Sequence, residues 1–228
     1  MLQDYFYTIS TWIFPLLIAV TIHETAHGYI AMHLGDDTAK KQGRITLNPL
    51  KHIDTFGSII LPLLLIIIKS PFLFGWAKPV PVKFNRLNNP LRDMVLVALA
   101  GPVSNVLLAF AGSSILSIMI NFGIVDSLWL TRTMINFLLI NVILAVFNMI
   151  PIPPLDGGRV AVGLLPKELS LILAKLEKYG LIIIITSLFF LPLIGNQIGV
   201  KIEPIHWFIQ FFSTILIEII TTLTGLHL

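Results

Sequence analysis

The chain has no cysteine and few charged residues, and both absences narrow the kind of protein it is. Without cysteine, disulfide bonds and thiolate metal ligands are excluded. Charged residues make up only 12% of the 228 residues, against about 25% in a typical soluble domain, whereas 56% are hydrophobic. This composition is typical of an integral membrane protein and leaves no length for a separate soluble domain of ordinary size.

The sequence also lacks the features of a signal peptide and of a nucleic-acid-binding protein. The first ten residues lack the basic region of a secretory signal peptide, and no small-residue cleavage site follows, so the first apolar run is predicted to be a permanent helix. The net charge of +3 does not indicate nucleic acid, because basic residues at membrane ends usually follow topology. We therefore expect a lipid bilayer around the chain and no nucleic-acid partner.

Apolar runs suited to a hydrocarbon core about 30 Å thick recur along the chain. They cover residues 8–34, 94–120, 134–150, 181–194 and 206–223. A further run at 57–68 contains Pro62 and is shorter than the ~17–25 residues that spanning requires. Apolar residues at helical spacing with interspersed lysines predict an interfacial amphipathic helix over 165–179. The predicted fold class is an all-α polytopic membrane protein with about five or six transmembrane helices.

The basic residues favour a path in which residues 57–74 enter the membrane and return to the same face. Thirteen Lys and Arg residues then lie on one side, and only Arg132 and Lys201 lie on the other. The positive-inside tendency therefore predicts a re-entrant segment, an external N-terminus and a cytoplasmic basic face, with six full spans as the alternative. Short pieces at 44–47 and 80–84 are typical of strands and predict a small membrane-associated β element.

A polar cluster interrupts the first apolar run. His23, Glu24 and His27 are the only ionisable side chains between residues 8 and 32. Such side chains cost roughly 2.5–3.5 kcal/mol each at a bilayer centre on insertion scales, so they are functional candidates. Histidines four positions apart lie on one helix face, and the adjacent glutamate can act as a general base, as in zinc hydrolases. The sequence therefore predicts a metal-dependent hydrolytic centre inside a membrane.

A third metal ligand has to come from outside this helix, because a catalytic zinc commonly has three protein ligands and an open water position. The candidates are His33, His52, Asp54, Asp156 and His206. Asp156 has the best context, because the prolines of 151–154 end an apolar run and let a carboxylate face a cavity at membrane depth. The alternative is that Asp156 is the N-cap of the helix that follows.

Several blocks, in order, resemble the compact branch of the site-2 protease family of intramembrane zinc metalloproteases. They are residues 23–27, 43–49, 75–82, 101–105 and 148–158. The likeness covers roughly residues 15–165, and the chain lacks the PDZ or CBS insertions of other branches. It implies a single membrane-embedded metalloprotease domain over 1–228, with a catalytic core at about 8–165 and C-terminal helices at about 180–228.

The resemblance also implies roles for individual residues. His23, His27 and Asp156 match the family's zinc ligands, with one zinc ion per chain, and Glu24 matches its catalytic glutamate. Asn148 matches a position that holds the substrate backbone. An unwound peptide in a membrane needs polar partners for its amides, which supports that role, and an interhelical hydrogen bond is the alternative. Asn105 is a further candidate for substrate binding or the water path, again with a hydrogen bond between helices as the alternative.

The expected function is zinc-dependent hydrolysis of peptide bonds in the transmembrane segment of a membrane-protein substrate. The expected location is the plasma membrane of a bacterial cell, with the site toward the cytoplasm. A catalytically silent client-binding protein and a metal-ion transporter are the alternatives. Transport favours several ligand clusters or an inverted repeat, and a silent binder does not need Glu24. The sequence has one compact cluster, no internal repeat, and Glu24 is present.

Overall fold

The computed structural model describes residues 2–68, 75–124 and 127–226, and regular structure in these ranges is helical. The α-helices are α1 Leu2–His33, α2 Thr38–Lys41, α3 Leu61–Ile67, α4 Pro90–Asn121, α5 Leu128–Asn148, α6 Asp156–Leu164, α7 Lys167–Lys175, α8 Glu177–Ile185, α9 Leu191–Gln197 and α10 Pro204–Thr224. Short 3₁₀ turns lie at Pro49–His52 and Phe84–Arg86. Wider π-turns lie at Thr55–Ile60 and Thr186–Phe190, so that α8 and α9 form one continuous helical segment.

Five helical segments of the described chain are long and apolar enough to cross a membrane. They are Phe6–His33, Pro90–Asn121, Leu128–Asn148, Glu177–Gln197 and Pro204–Thr224. A helix satisfies its own backbone hydrogen bonds, which is what a segment without access to water requires. Large apolar side chains on these helices are exposed, among them Phe14, Leu107 and Leu223. The predicted all-α architecture is confirmed, with five candidate spans where about five or six were predicted, and its exposed apolar surface fits a lipid environment.

Three helices form the centre of the bundle. α1, α4 and α5 pack against one another in pairs, and α6 packs on α4. The largest buried cluster joins α4 and α5 to the C-terminal part of α10 through Leu116, Leu138, Val142 and Ile220. Because α1, α4 and α5 all contact each other, side chains near the middle of one helix reach the other two.

The apolar run after α1 forms a short helical segment at Thr55–Ile67, too short to span a bilayer. Asp54 begins it, since its carboxylate accepts a hydrogen bond from the Gly57 backbone N–H at 2.7 Å. The predicted return of this segment includes residues 69–74, which lie outside the described residues. The re-entrant path therefore stays a prediction.

The predicted β element is wrong for the described residues, because no strand forms at 44–47 or 80–84. Side chains form hydrogen bonds with backbone groups that would otherwise pair two strands. The Arg44 guanidinium donates to the Lys78 carbonyl at 2.8 Å, and the Lys83 N–H donates to the Asp36 carboxylate at 2.6 Å. Pro79 and Pro81 also lack the N–H that a ladder needs.

The direction of α10 follows from the contacts of its two ends. Ile205, at its start, belongs to a buried cluster with Ile150, which follows the end of α5. Thr224, at its end, is hydrogen-bonded to Ser113 in the C-terminal half of α4 at 2.7 Å. α10 therefore runs antiparallel to α5.

Candidate active site

One helix supplies three polar side chains at membrane depth. His23, Glu24 and His27 lie in the C-terminal third of α1, and His23 is buried with 6% exposure. At 1.5 Å per residue, His23 lies about 15 Å along the axis from the end of α1 at His33. Because positions four apart face the same way, the two imidazoles are neighbours, with ring centroids 4.7 Å apart.

Asp156 reaches this pair from the first turn of α6. The chain breaks after α5 and turns through 151–154, and two glycines let the new helix pack closely on that break. A Cβ atom at Gly157 would lie 2.2 Å from the Met149 carbonyl oxygen, and one at Gly158 would lie 2.2 Å from the Pro153 nitrogen. Asp156 is not the N-cap of α6, because Leu155 occupies that position. Its carboxylate faces the histidines.

The three side chains converge on one point. The His23 and His27 Nε2 atoms are 3.0 Å apart, and Asp156 Oδ2 lies 3.2 Å from the first and 3.3 Å from the second. These residues form a cluster that can hold a metal ion, with their ligand atoms within 4.8 Å of one another. The predicted third ligand is therefore brought to the histidine pair across more than a hundred residues of sequence.

The hydrogen bonds of the two imidazoles show which ring nitrogens are free to bind a cation. His23 Nδ1 lies 2.6 Å from Asn105 Oδ1, and His27 Nδ1 lies 2.7 Å from the Val97 carbonyl oxygen. Both partners are acceptors, so each Nδ1 donates a hydrogen bond to its partner, and each Nε2 is the ring nitrogen left to bind a cation. The two Nε2 atoms face each other and the Asp156 carboxylate.

This arrangement fits zinc. Asp156 Oδ2 is buried and receives no hydrogen bond, so an unsatisfied acceptor faces the two Nε2 atoms at a point where a cation can bind all three. Two imidazole nitrogens and one carboxylate oxygen are a ligand set of catalytic zinc, which keeps a fourth position open. Gly101 of α4 leaves space for an ion beside the rings, because a Cβ atom there would lie 2.5 Å from the Nε2 atoms of both histidines.

Glu24 is held by the segment before α4. Its Oε2 accepts a hydrogen bond from the Val80 backbone N–H at 2.7 Å. Val80 lies between Pro79 and Pro81, so its N–H is the single backbone donor of this tripeptide. The carboxylate is half-buried beside the metal cluster, a position suited to a general base whose orientation is fixed.

The irregular segments on either side of Thr55–Ile67 are tied to α1 and to each other. The Thr46 carbonyl lies 2.8 Å from the Thr25 hydroxyl and 2.9 Å from His52 Nε2. The Lys78 N–H donates to the His52 carbonyl at 2.9 Å. These bonds fix the backbone around Glu24.

The other predicted ligand candidates lie elsewhere. His33 is exposed and bonds to the Tyr29 carbonyl of its own helix. His52 is buried against Thr46, and Asp54 caps the following turn. His206 is exposed in the first turn of α10.

The two predicted asparagines differ in their surroundings. Asn148, the last residue of α5, is half-buried and donates to the Leu144 carbonyl of its own helix at 2.9 Å. Asn105 is fully buried and bridges α4 to His23 on α1, which is the hydrogen bond between helices named as its alternative. Substrate binding by either residue stays a prediction.

Sequence reasoning missed Asn141 and Val80. Asn141 is fully buried on α5 and accepts a hydrogen bond from Asn105 at 2.8 Å. An asparagine inside an apolar span is costly without a partner, and that cost was the available signal. No local pattern points to the Val80 N–H, because its partner lies 56 residues away.

Comparison with known proteins agrees with this site. The model of peptidase family M50 matches residues 113–191, a stretch that contains Asp156. The chain is 42% identical to the "Putative zinc metalloprotease YwhC" of Bacillus subtilis (strain 168) over 185 residues, which cover 79% of this chain and 80% of that protein. No solved structure gives a significant match.

A more distant relative has a similar name. The "Putative zinc metalloprotease Rip2" of Mycolicibacterium smegmatis is 28% identical over 201 residues, which cover 86% of this chain and 71% of that protein. The identity and coverage of the Bacillus protein are sufficient to assign the family. The chain belongs to peptidase family M50, the site-2 protease family of zinc metalloproteases.

Proposed function

We propose that this protein is an intramembrane zinc metalloprotease that cleaves peptide bonds within or near the transmembrane segments of membrane proteins. The observation that carries the proposal is the convergence of His23, His27 and Asp156 inside an apolar helical bundle. Two imidazole nitrogens and a carboxylate oxygen buried this close together are typical of a metal site. Glu24 beside them supplies the base that hydrolysis needs.

The proposed chemistry divides between the ion and one glutamate. When bound by His23, His27 and Asp156, zinc supplies a Lewis acid that polarises the peptide carbonyl and lowers the pKa of a water molecule toward about 7. Glu24 accepts the proton of that water as its oxygen attacks the carbonyl carbon. Glu24 then gives the proton to the amine that leaves as the C–N bond breaks. Such acid–base catalysis usually contributes ~10²–10⁴-fold.

The substrate we propose is the transmembrane segment of another membrane protein. An apolar groove of about 200 Å³ runs along α1 at Leu17, Thr21 and Ile22, one turn before His23. Its position supports lateral approach of an apolar segment from the lipid. The scissile part must unwind to reach zinc, and Asn148 at the end of α5 is the proposed partner for its freed backbone groups.

The proposed location is the bacterial plasma membrane, with the catalytic end toward the cytoplasm. Asp156 and the loops that carry most Lys and Arg residues lie at the same end of the bundle as the C-terminus of α1. The positive-inside tendency places this end in the cytoplasm. Bacterial relatives support the assignment.

Substitution of Glu24 tests the division of roles. We expect Glu24→Gln to lose cleavage of a model transmembrane peptide by at least ~10²-fold while zinc content is retained, because the amide keeps the size of the side chain but cannot accept the proton. Glu218→Gln, a change of the same kind on exposed α10, is the control and should cleave normally. Full activity of Glu24→Gln, or purified wild-type protein without zinc, would contradict the proposal.

A further inference from the structure

We infer that Asn105 and Asn141 form a relay that fixes the orientation and tautomer of His23 and so determines how tightly the site binds metal. The inference rests on the proposed function, because it concerns the same zinc site. It assigns the two asparagines as positioning residues, without contact to substrate.

The relay is a chain of three hydrogen bonds that crosses the bundle. The Asn141 side-chain N–H donates to the Phe137 carbonyl at 2.8 Å, and Asn141 Oδ1 accepts from Asn105 Nδ2 at 2.8 Å. Asn105 Oδ1 then lies 2.6 Å from His23 Nδ1. Asn105 and Asn141 are both 0% exposed, so water does not compete for these groups.

The partners determine which way each amide points. Asn105 Nδ2 faces two acceptors, Asn141 Oδ1 and the Ala19 carbonyl at 3.3 Å, so the amide oxygen is the atom that faces His23. An oxygen can only accept there, so His23 Nδ1 has to donate. The proton is therefore on Nδ1, and Nε2 keeps the lone pair that a metal requires.

A backbone carbonyl of α5 thus sets the tautomer of a histidine on α1 through two side chains. His27 needs no such relay, because its Nδ1 faces the Val97 carbonyl directly. His23 Nδ1 instead faces a side chain of α4, that of Asn105. Without Asn105, His23 can rotate or move its proton to Nε2, and both changes remove a ligand.

Residues that hydrogen-bond to metal-bound histidines in other proteins indicate the size of the effect on metal affinity. Their removal typically costs 10–100-fold in metal affinity. We expect Asn105→Leu to raise the zinc dissociation constant by about 10–100-fold. We expect Asn141→Leu to raise it less, because Asn105 can still accept from His23 but is no longer fixed. Asn105→Asp should recover most of the lost affinity, because its carboxylate again accepts from Nδ1.

Asn136 provides the matched control. It is also a buried asparagine of α5, and its side chain bridges to α1 through Thr11 at 3.0 Å without reaching the metal cluster. Asn136→Leu should lower the thermal stability of the metal-free protein in detergent micelles as much as Asn141→Leu does, and should leave zinc affinity unchanged. Equal zinc affinity in wild type, Asn105→Leu and Asn141→Leu would overturn the inference.

A second measurement separates this inference from the proposed function and does not depend on zinc. Nitrogen-15 shifts of His23 in the metal-free wild type should show the proton on Nδ1, and Asn141→Leu should shift that population toward Nε2. An Nε2 proton in the wild type overturns the relay whether or not zinc binds. Wild-type protein that binds no zinc but has the Nδ1 proton contradicts the proposed function and leaves the relay in place.

Discussion

At the scale of single residues, the metal site depends on how closely α4 approaches the two histidines. Gly101 faces both rings, and a Cβ atom there would lie 2.5 Å from both Nε2 atoms, so α4 could not keep this packing with a larger residue. Gly112, about three turns later on the same helix, has a similar close approach, because a Cβ atom there would lie 2.6 Å from Phe137 Cδ1. The first glycine makes room for the metal ligands, and the second makes room for an apolar side chain.

This pair of glycines gives a matched prediction. We expect Gly101→Ala to weaken zinc binding by at least tenfold, because the new methyl group occupies the space beside both Nε2 atoms. Gly112→Ala should cost about 1–3 kcal/mol of stability through overpacking and leave zinc affinity unchanged. Zinc titration and thermal unfolding of both variants separate the two effects. Unchanged zinc affinity in Gly101→Ala would show that α4 does not shape the site.

Single residues also show how far sequence could predict this site. His23 and His27 are four positions apart on one helix, so helical geometry alone places their imidazoles together. Asp156 is 129 residues after His27, and its residue type and proline context left it one of five candidates until a family resemblance selected it. The Asn105–Asn141 contact depends on the packing of α4 against α5, which no local pattern contains. Local sequence patterns therefore did not predict the contacts between side chains of different helices.

At the scale of elements, the backbone between α1 and α4 positions Glu24 without forming a sheet. The sequence pattern of residues 80–84 is typical of a strand, but Pro79 and Pro81 leave Val80 as the one N–H donor between them, and that donor bonds to Glu24. A strand pairs its N–H groups with a neighbouring strand, whereas this segment binds the proposed general base and a buried aspartate. The strand prediction was wrong because alternating apolar residues do not reveal such partners.

Removal of that one donor is a direct test. We expect Val80→Pro to lower cleavage about tenfold or more with normal zinc affinity, because the Glu24 carboxylate loses the bond that orients it while the ligands stay in place. Val82→Pro is the control, since it stiffens the same segment and removes no bond to the site. A Val80→Pro protein as active as Val82→Pro would show that Glu24 needs no such support.

Asp36 anchors the other end of this segment and makes it sensitive to acid. Burial by itself raises the pKa of this carboxyl, but hydrogen bonds from Thr38 and from the Lys83 N–H, with Arg86 nearby, hold its pKa below the usual 3.8. A carboxyl with a lowered native pKa stabilises the fold fully above its unfolded pKa. That contribution is lost as the pH falls through the native pKa.

The matching prediction uses Asp36→Asn. At pH 7 we expect this variant to lose about 1–3 kcal/mol in free energy of unfolding, because a charged acceptor of buried hydrogen bonds is replaced by a neutral one. The difference from wild type should shrink as the pH is lowered below about 4. Thermal unfolding of both proteins between pH 7 and a pH below about 4 measures this difference in stability. A difference that stays constant with pH would exclude the carboxylate as its cause.

At the scale of the whole molecule, the distribution of charge follows from the direction of the helices. Arg132 lies near the start of α5 and contacts the Tyr7 ring near the start of α1, so it marks the end of the bundle opposite the metal site. Most Lys and Arg residues lie in loops at the other end of the bundle, the asymmetry that the sequence predicted.

The absence of cysteine allows this topology to be tested without background labelling. Three single substitutions at exposed positions are needed: Lys40→Cys after α1, Asn121→Cys at the end of α4 and Lys175→Cys at the end of α7, which packs on α6. With a membrane-impermeant maleimide added to intact bacterial spheroplasts, we expect Asn121→Cys alone to react, because its end of the bundle faces outward. The other two should react only after lysis. Reaction of Lys175→Cys together with Asn121→Cys would contradict the placement of α6 and α7 at the cytoplasmic end. Reaction of Lys40→Cys and Lys175→Cys in place of Asn121→Cys would keep the packing and reverse the orientation, which would place the catalytic end outside the cell.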